Sequence, residues 1–342
     1  MKKTTLLLFA ITLFSFSTQA QVLLTENSTA LTVGNIASDL TGTTAGQGGW
    51  LTYVATGGAN SDFQVVNQGG AYGNALRVTG SNTAANTRYL FKDLAAAWTA
   101  RTPGNNIAEA DYDFFTGPAT TSLNSMRVAF YDGSGAKILG GLRITLNTMA
   151  ITGLAYYDNA GTLGNYSFNL GAAGAVVTLA PNTWYKLGFS FNKTTGEIKF
   201  KESTGLFSGS VMGAGTGTDI SEIDLFAATA TGNTLAGNGI YDNINVKASS
   251  TDTLLGVSSN EIVANKFSVY PNPAKNVITI SNNENILINE ITISDLNGRI
   301  VKHLNSAEIS ENQINVSDLE SGMYMMNIQS DKGSLIKKFI KN

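Results

Sequence analysis

The sequence predicts an all-β protein built as two β-sandwiches of unequal size. Short apolar runs recur along the chain between Gly, Asn and Thr turns. Thirty-six glycines stand against five prolines in 342 residues, a balance that suits many tight turns between short strands. Within the runs, apolar and polar residues alternate with period two, as in strands with one buried face, and long helices are scarce.

Composition narrows the chemistry. Hydrophobic residues make up 43% of the chain, enough for two real cores, while charged residues are only 14% against about 25% in an average globular protein. The net charge of −3 leaves no basic footprint for nucleic acid. There is no cysteine, which excludes disulfides, thiol nucleophiles and cysteine metal sites. The single histidine, His303, lies near the C-terminus. The larger, N-terminal domain therefore has no Ser-His-Asp triad, no histidine zinc site and no histidine base. An enzyme there would have to move protons with carboxylates or tyrosines.

Residues 1–20 have the pattern of a secretory signal peptide. Lys2 and Lys3 precede an apolar run from Leu6 to Phe16, and Thr18-Gln19-Ala20 sets cleavage between Ala20 and Gln21. The run falls short of the roughly 20 residues needed to span a bilayer.

Residues 21–248 form the larger domain. Its clearest unit is WYKLGFSFNKTTGEIKF, in which Tyr185, Leu187, Phe189 and Phe191 share one face of a strand. Asn192 to Gly196 makes the turn, and Ile198 and Phe200 return on the inward face. Further strands are expected at Ala75–Val78, Glu109–Phe115, Met126–Tyr131, Lys137–Leu146, Ala150–Tyr157 and Ile240–Val246, with one helical turn near Leu94–Trp98. Asp132–Gly135 supplies a hairpin turn. Residues 249–264 are small and polar with a few aliphatics and read as a linker.

Residues 265–342 form the second domain. Tyr270-Pro271-Asn272-Pro273 ends a strand in prolines that cannot extend a ladder. Asn297-Gly298 is a hairpin signal between two short strands. About seven short strands are expected, as in a compact Ig-like sandwich.

Two resemblances follow from these motifs. YPNPAKN, ITISDLNGRIV, INVSDLESGMYMMNI and a terminal KKFIKN occur in order over Phe267 to Asn342. This series closely resembles the type A C-terminal sorting domain of the type IX secretion system in Bacteroidetes. Tyr270, Pro271, Asn272, Pro273, Asp295, Gly298, Arg299, Gly322, Tyr324, Lys337 and Lys338 match its motifs. The resemblance implies recognition by the type IX machinery, passage through the outer membrane, and release or attachment at the cell surface, usually with removal of this domain. TWYKLGFSFNKTTGEIKF followed by IYDNINV, with LLTEN and Gly48–Trp50 at the opening, is similar to laminin-G/concanavalin-like jelly rolls over residues 22–248. That architecture hosts lectins, carbohydrate-binding modules, glycosidases and adhesion modules. Asp252-Thr253-Leu254 resembles the O-glycan acceptor of Bacteroidetes.

The larger domain offers three candidate sites. Glu109, Asp111 and Asp113 share one strand face. They are similar to the E-x-D-x-E of laminarinase-like glycosidases, departing from it by Asp113 at the last position; a retaining pair would sit about 5–5.5 Å apart. The plainer reading is a solvated polar face opposite Ala110, Tyr112 and Phe114. Glu26 and Asp242 match the positions where related modules hold structural calcium between first and last strands; otherwise they are edge carboxylates in water. Trp50, Tyr156 and Tyr157 could serve as sugar-stacking platforms or as core, and Trp184 reads as core. The functional expectation is a non-catalytic binding or adhesion protein for a polysaccharide or cell-surface ligand. A glycoside hydrolase or lyase, and a structural surface-layer component, are the alternatives. No cofactor is required beyond the candidate calcium.

Overall fold

The computed structural model describes residues 20–83, 86–255, 267–282, 287–295, 299–305, 312–330 and 333–342. The chain forms two compact units, Met1–Leu254 and Leu255–Asn342. The signal peptide expected over 1–20 falls, up to residue 19, outside the described residues. Ala20 is exposed, and Gln21 opens the first strand.

The first unit is a sandwich of two antiparallel sheets. In spatial order, one sheet runs Ser208–Met212, Glu197–Glu202, Trp184–Asn192, Ile107–Phe115, Gly237–Ser249, Gly73–Gly80, Phe63–Gly69 and Gly34–Asn35. Gln21–Glu26 pairs with Gly237–Ser249, so the first and last strands of the unit are neighbours. The other sheet runs Thr162–Asn169, Ala150–Asn159, Ile138–Thr145, Asn124–Tyr131, Glu222–Thr229, Thr87–Asp93 and Leu51–Val54. Val177–Thr178 pairs with Ala150–Asn159. Neighbouring strands are mostly distant in sequence, as in a jelly roll.

Alternation builds the core. Leu187, Phe189 and Phe191 of one sheet are fully buried with Val128 and Phe130 of the other, and the Phe189 and Phe130 rings meet edge to face at 4.9 Å. Truncating such a ring to alanine costs about 3–5 kcal/mol. Trp98 anchors the short helix Ala95–Thr99 through an Nε1 bond to Asp219 at 2.6 Å. Trp50 is fully buried, which removes it as a sugar platform. Trp184 departs from its core reading in the other direction. Alternation with Tyr185 and Leu187 turns it to the outer face, where its ring stacks on Tyr72 at 3.8 Å.

The linker expectation for 249–264 needs correction at its start. Residues 249–254 pack on the first sheet rather than leaving it. Leu254 is buried, Asp252 accepts from Ser190 Oγ at 3.0 Å, and Lys199 lies 3.2 Å from the same carboxylate. Residues 256–266 lie outside the described residues.

The second unit has seven strands among its described residues. Phe267–Tyr270, Val277–Asn282 and Gln313–Asn315 form one sheet. Ile300–Asn305, Ile288–Asp295, Gly322–Ser330 and Gly333–Lys341 form the other. Phe267, Ile278, Ile291, Ile293, Met326 and Phe339 are buried together. Several motif residues hold this unit in shape. Asn272 accepts from the Ile340 amide at 2.9 Å and donates to the Lys338 carbonyl at 3.2 Å. Asp295 accepts from the Arg299 amide and Nε at 3.0 and 3.1 Å. Tyr324 is buried, donates to the Glu320 carbonyl at 3.0 Å and stacks on Phe339. Tyr270, Pro271, Pro273, Gly322 and Lys338 are exposed, and Lys337 is half-buried. Gly298 lies outside the described residues.

Candidate functional site

Strand Ile107–Phe115 presents its carboxylates as alternation requires. Ala108, Ala110, Tyr112 and Phe114 are buried between the sheets, so Glu109, Asp111 and Asp113 share the outer face. Asp111 is ion-paired with Lys186 at 2.7 Å and accepts from Asn245 at 3.4 Å. Asp113 accepts from Asn243 Nδ2 at 2.7 Å and lies 4.0 Å from Lys186. Burial raises the Asp113 carboxyl above its ordinary value; Lys186 and Asn243 oppose the shift, and Asp111 reinforces it. Glu109 is only 1% exposed. It accepts from Ser249 Oγ, from the Thr253 amide at 3.0 Å and from Thr253 Oγ1 at 3.0 Å, with Lys247 Nζ at 3.4 Å. Segment 249–254 thus lies over Glu109, and Thr253, the residue resembling a glycan acceptor, spends its hydroxyl on this carboxylate.

The junction of first and last strands lies on the same sheet. Glu26 faces Ile244, and the last strand bulges between Asp242 and Asn245, with Asn243 at a φ of 47°. Glu26 accepts from the Ser28 amide at 2.9 Å and from Trp50 Nε1 at 3.1 Å. Lys92, bonded to the Gly48 carbonyl, brings a positive charge close to Glu26. Asp242 is 2% exposed. Burial pushes its carboxyl up to about 7; the Asn243 N–H and the Ser28 hydroxyl oppose this, and Asp113 and Glu26 add to it. Ser28 Oγ lies close to the Asp242 carboxylate, but neither it nor Asp242 Oδ1 makes a hydrogen bond of good geometry. Hard, unpartnered oxygens beside two carboxylates fit a calcium-sized cation. Among the described residues no three His, Asp or Glu side chains converge as ligands, so backbone carbonyls would have to complete its shell.

The second sheet carries a feature that reading strands one at a time misses. On its outer face, Tyr53, Tyr89, Phe226, Arg127, Arg143, Thr152 and Asn169 are successive cross-strand partners on seven neighbouring strands. Six strand spacings of ~4.8 Å make this row about 29 Å long. Its first half is aromatic. Tyr53 and Tyr89 lie 4.8 Å apart, Tyr89 and Phe226 are 5.4 Å apart and within 8° of parallel, and Phe91 joins Tyr89 at 5.5 Å. The second half is basic. Arg127 sits 4.6 Å over the Phe226 ring, and Arg143 is its direct partner on the next strand.

Three successive members of the row hold unsatisfied polar atoms: Arg127 Nε, Arg143 Nε and Thr152 Oγ1 are buried without partners. Burial, and then the charge of Arg127, lowers Arg143 from its ordinary value. The flanks are low. Thr87, Ala228, Ser125, Thr145 and Ala150 run along one side. On the other side Ala129 faces Gly141, where an added Cβ would come within 2.6 Å of the Ala129 Cβ. Small residues therefore border the guanidiniums on the first side, while on the second Ala129 and Gly141 are joined by Leu154 and Tyr131, which are buried with Ala129. Beyond Ala129, Asp224 is 4% exposed with Oδ1 unpartnered. Burial, then Glu222, raises its carboxyl well above the ordinary value; burial, then Asp93 and Asp132, raises that of Glu222. No arginine offsets either shift.

Of the expected platform residues, Tyr156 shares the outer face of this sheet, with Lys137 Nζ 5.3 Å over its ring. Tyr157 faces the other way, edge-on to Phe168 at 5.2 Å and Tyr166 at 6.1 Å. Tyr53, Tyr89, Phe91 and Phe226 were not singled out from the sequence. EIDLFAAT did carry a signal, with Glu222, Asp224 and Phe226 on one face and Ile223, Leu225 and Ala227 on the other. Aromatics in LTYV and TRYLFKD read more readily as core.

Comparison with known proteins adds the following. Residues 268–342 match the family described as secretion system C-terminal sorting domain. No curated protein matches the chain. Among solved structures, a sialidase is 13% identical at a TM-score of 0.39, covering 64% of this chain and 19% of its own length. The chain thus spans only a small part of that protein. The CBM2 module of the evolved Dit of Lactobacillus casei BL23 phage J-1 is 10% identical at a TM-score of 0.40, over 68% of this chain and 97% of its own. A structure of botulinum neurotoxin type C, whose cell entry is described as dependent upon interaction with two ganglioside molecules, is 10% identical. Its TM-score is 0.43, over 92% of this chain and 72% of its own. Such likeness concerns fold alone. The C-terminal match is of another kind, because it falls on the residues whose motifs occur in order. Residues 268–342 are a type IX sorting domain, which marks the chain for export through the outer membrane to the cell surface or the extracellular space.

Proposed function

We propose that the exported unit is a non-catalytic glycan-binding protein acting at the cell surface or in the medium. The row Tyr53–Tyr89–Phe226 carries this reading. Sugars stack their C–H faces on aromatic rings. Neighbouring rings on a rigid sheet, with Tyr89 stacked on Phe226 and Arg127 over Phe226, form an apolar ridge whose shape is set before a ligand arrives. A polysaccharide array probed with the mature chain from Gln21 tests it. Binding without product release is expected, weakened about tenfold by Tyr89→Ala or Phe226→Ala, as the loss of one stacking ring predicts. Capture of a surface protein with no polysaccharide bound would refute the glycan reading. A protein that merely coats the cells, with no ligand at all, would leave a structural surface-layer role.

A second reading, hydrolase or lyase, draws on Glu222 and Asp224. These raised carboxyls stand beside the aromatic row, where a protonated carboxyl could act as an acid. Release of reducing ends from a bound polymer, lost in Asp224→Asn, would support it.

At the strand junction, a structural calcium ion held by Glu26, Ser28 and Asp242 is proposed to tie the first strand to the last. Its role is to neutralise Asp242, which has no ion pair among the described residues, whereas Glu26 has Lys92 nearby. Glycan binding on the opposite sheet does not pass through it.

A further inference from the structure

We propose, resting on the glycan-binding reading, that the ligand is an acidic polysaccharide whose uronate carboxylates are gripped by Arg127 and Arg143. Direct cross-strand partners place two guanidiniums side by side on one face. Like charges so placed repel each other and lower the stability of the sheet. Natural surfaces usually relieve such a pair with a carboxylate, and here the nearby carboxylates do not do so. Burial and Glu222 raise Asp224, burial, Asp93 and Asp132 raise Glu222, and the charge acting on Arg143 is that of Arg127. Arg127 interacts with the Tyr131 hydroxyl, while both Nε atoms and the adjoining Thr152 hydroxyl are buried without partners. The row is therefore complete in its aromatic half and incomplete in its basic half. The missing component is an anion.

Geometry favours a uronate over a sulfate ester. A uronate carboxylate is fixed to the sugar ring, at its edge. Arg127 already covers the Phe226 ring, so a sugar lying along the aromatic half of the row directs that edge toward the next positions, Arg127 and then Arg143. The planar guanidinium fork matches a carboxylate through two parallel bonds. A sulfate ester swings on a rotatable oxygen and gains less from a fixed row. Both arginines are half-buried, and beside the low residues Ser125, Thr145 and Gly141 a chain lying across the strands would meet the outer ends of the guanidiniums rather than their buried Nε atoms.

The test uses the mature chain from Gln21 and four immobilised polymers: polygalacturonate, the same polymer with its carboxyls reduced to alcohols, dextran sulfate and laminarin. Polygalacturonate is expected to bind, and its carboxyl-reduced form to bind at least about tenfold more weakly, the loss of one charge-assisted contact. Arg127→Gln with Arg143→Gln should abolish the difference between these two polymers. Arg127→Lys with Arg143→Lys should restore part of it, since charge returns without the fork. Thermal melting of each variant separates lost binding from lost folding. Equal binding of the charged and reduced polymers would overturn the uronate inference while leaving glycan binding intact. Binding of dextran sulfate alone would also overturn it. Binding of none of the four would overturn both this inference and the reading it rests on.

Discussion

Glu109→Gln distinguishes a carboxylate that anchors the chain from one that does chemistry. In the folded unit Glu109 is 1% exposed and receives three donors from segment 249–254: Ser249 Oγ, the Thr253 amide and Thr253 Oγ1. Lys247 adds an ammonium at 3.4 Å. Hydrogen bonds to an ionised acceptor are worth about 1.5–3 kcal/mol each and neutral ones about 0.5–1.5. Glutamine keeps the size but loses the charge, and it turns one acceptor into a donor facing other donors. A loss of about 1 kcal/mol per contact gives a destabilisation of about 3 kcal/mol. With a urea dependence at the upper end for a single domain, about 3 kcal/mol per molar, the unfolding midpoint should fall by about 1 M. Tryptophan fluorescence is the assay, because Trp50, Trp98 and Trp184 all lie in the first unit and the sorting domain has none. Limited proteolysis should at the same time cut within residues 249–254, which the wild type protects. Thr253→Val should cost about 1 kcal/mol alone and almost nothing on top of Glu109→Gln, since both remove the same bond. A midpoint unchanged in Glu109→Gln, with the segment still protected, would refute the anchoring role.

The other predictions concern pH, metal and export. Asp224 has its folded carboxyl raised by burial and by Glu222, so the folded state holds its proton more tightly than the unfolded chain does. This contribution is fully present below the ordinary value of 3.8 and is lost as pH rises through the folded value. Urea midpoints measured from acid to neutral pH should therefore show a falling component that Asp224→Asn removes; an unchanged slope in the variant contradicts it. Calcium at about a hundredfold over its dissociation constant should stabilise the first unit by about 2.7 kcal/mol, a rise of several degrees in Tm over chelated protein. Asp242→Asn should abolish that rise, and a wild type indifferent to chelator ends the calcium proposal. A chain ending at Leu254 should accumulate in the periplasm, read by immunoblot of cell fractions; its appearance in the medium at wild-type levels would contradict a sorting role for the tail.

Legibility in the sequence followed the range of the interactions. The sorting domain was readable because its signals are local. Asp295 and Arg299 pair four residues apart, and Tyr324 reaches back four residues to Glu320. The core of the first unit was readable because alternation in Tyr185, Leu187, Phe189 and Phe191 needs only one strand to be seen. The end of that unit was not. Ser249, Asp252 and Thr253 are small polar residues of the kind that make linkers, and the same hydroxyls and amides are what a buried carboxylate requires. Composition cannot distinguish the two roles, because the difference lies in Glu109, far away in sequence.

The outer row demanded still more, since it exists only when seven strands take their registers together. One residue of slip in Glu222–Thr229 would bury Phe226 and turn Leu225 outward. A further physical signal becomes visible only after folding. Native structures satisfy nearly all of their buried polar atoms. Among the described residues, unpartnered ones include Ser28 and Asp242 at the strand junction and Arg127, Arg143, Thr152 and Asp224 on the outer face, while those of Asn60, Arg77, Arg88 and Tyr241 belong to neither group. The first holds the buried Asp242 carboxyl beside Glu26, and the second holds two adjacent guanidiniums with the buried Asp224 carboxyl on their flank. Orphan atoms scattered at random would be packing defects. Orphan atoms beside a buried carboxyl at the junction and beside paired guanidiniums on the row are what a cation at the first and an anion at the second would satisfy. The two sites are therefore expected to respond independently: chelation should shift Tm without altering polymer binding, and the arginine variants should alter binding without altering the calcium shift. If chelation alone abolished binding, the two sites would not be the separate devices their charges imply.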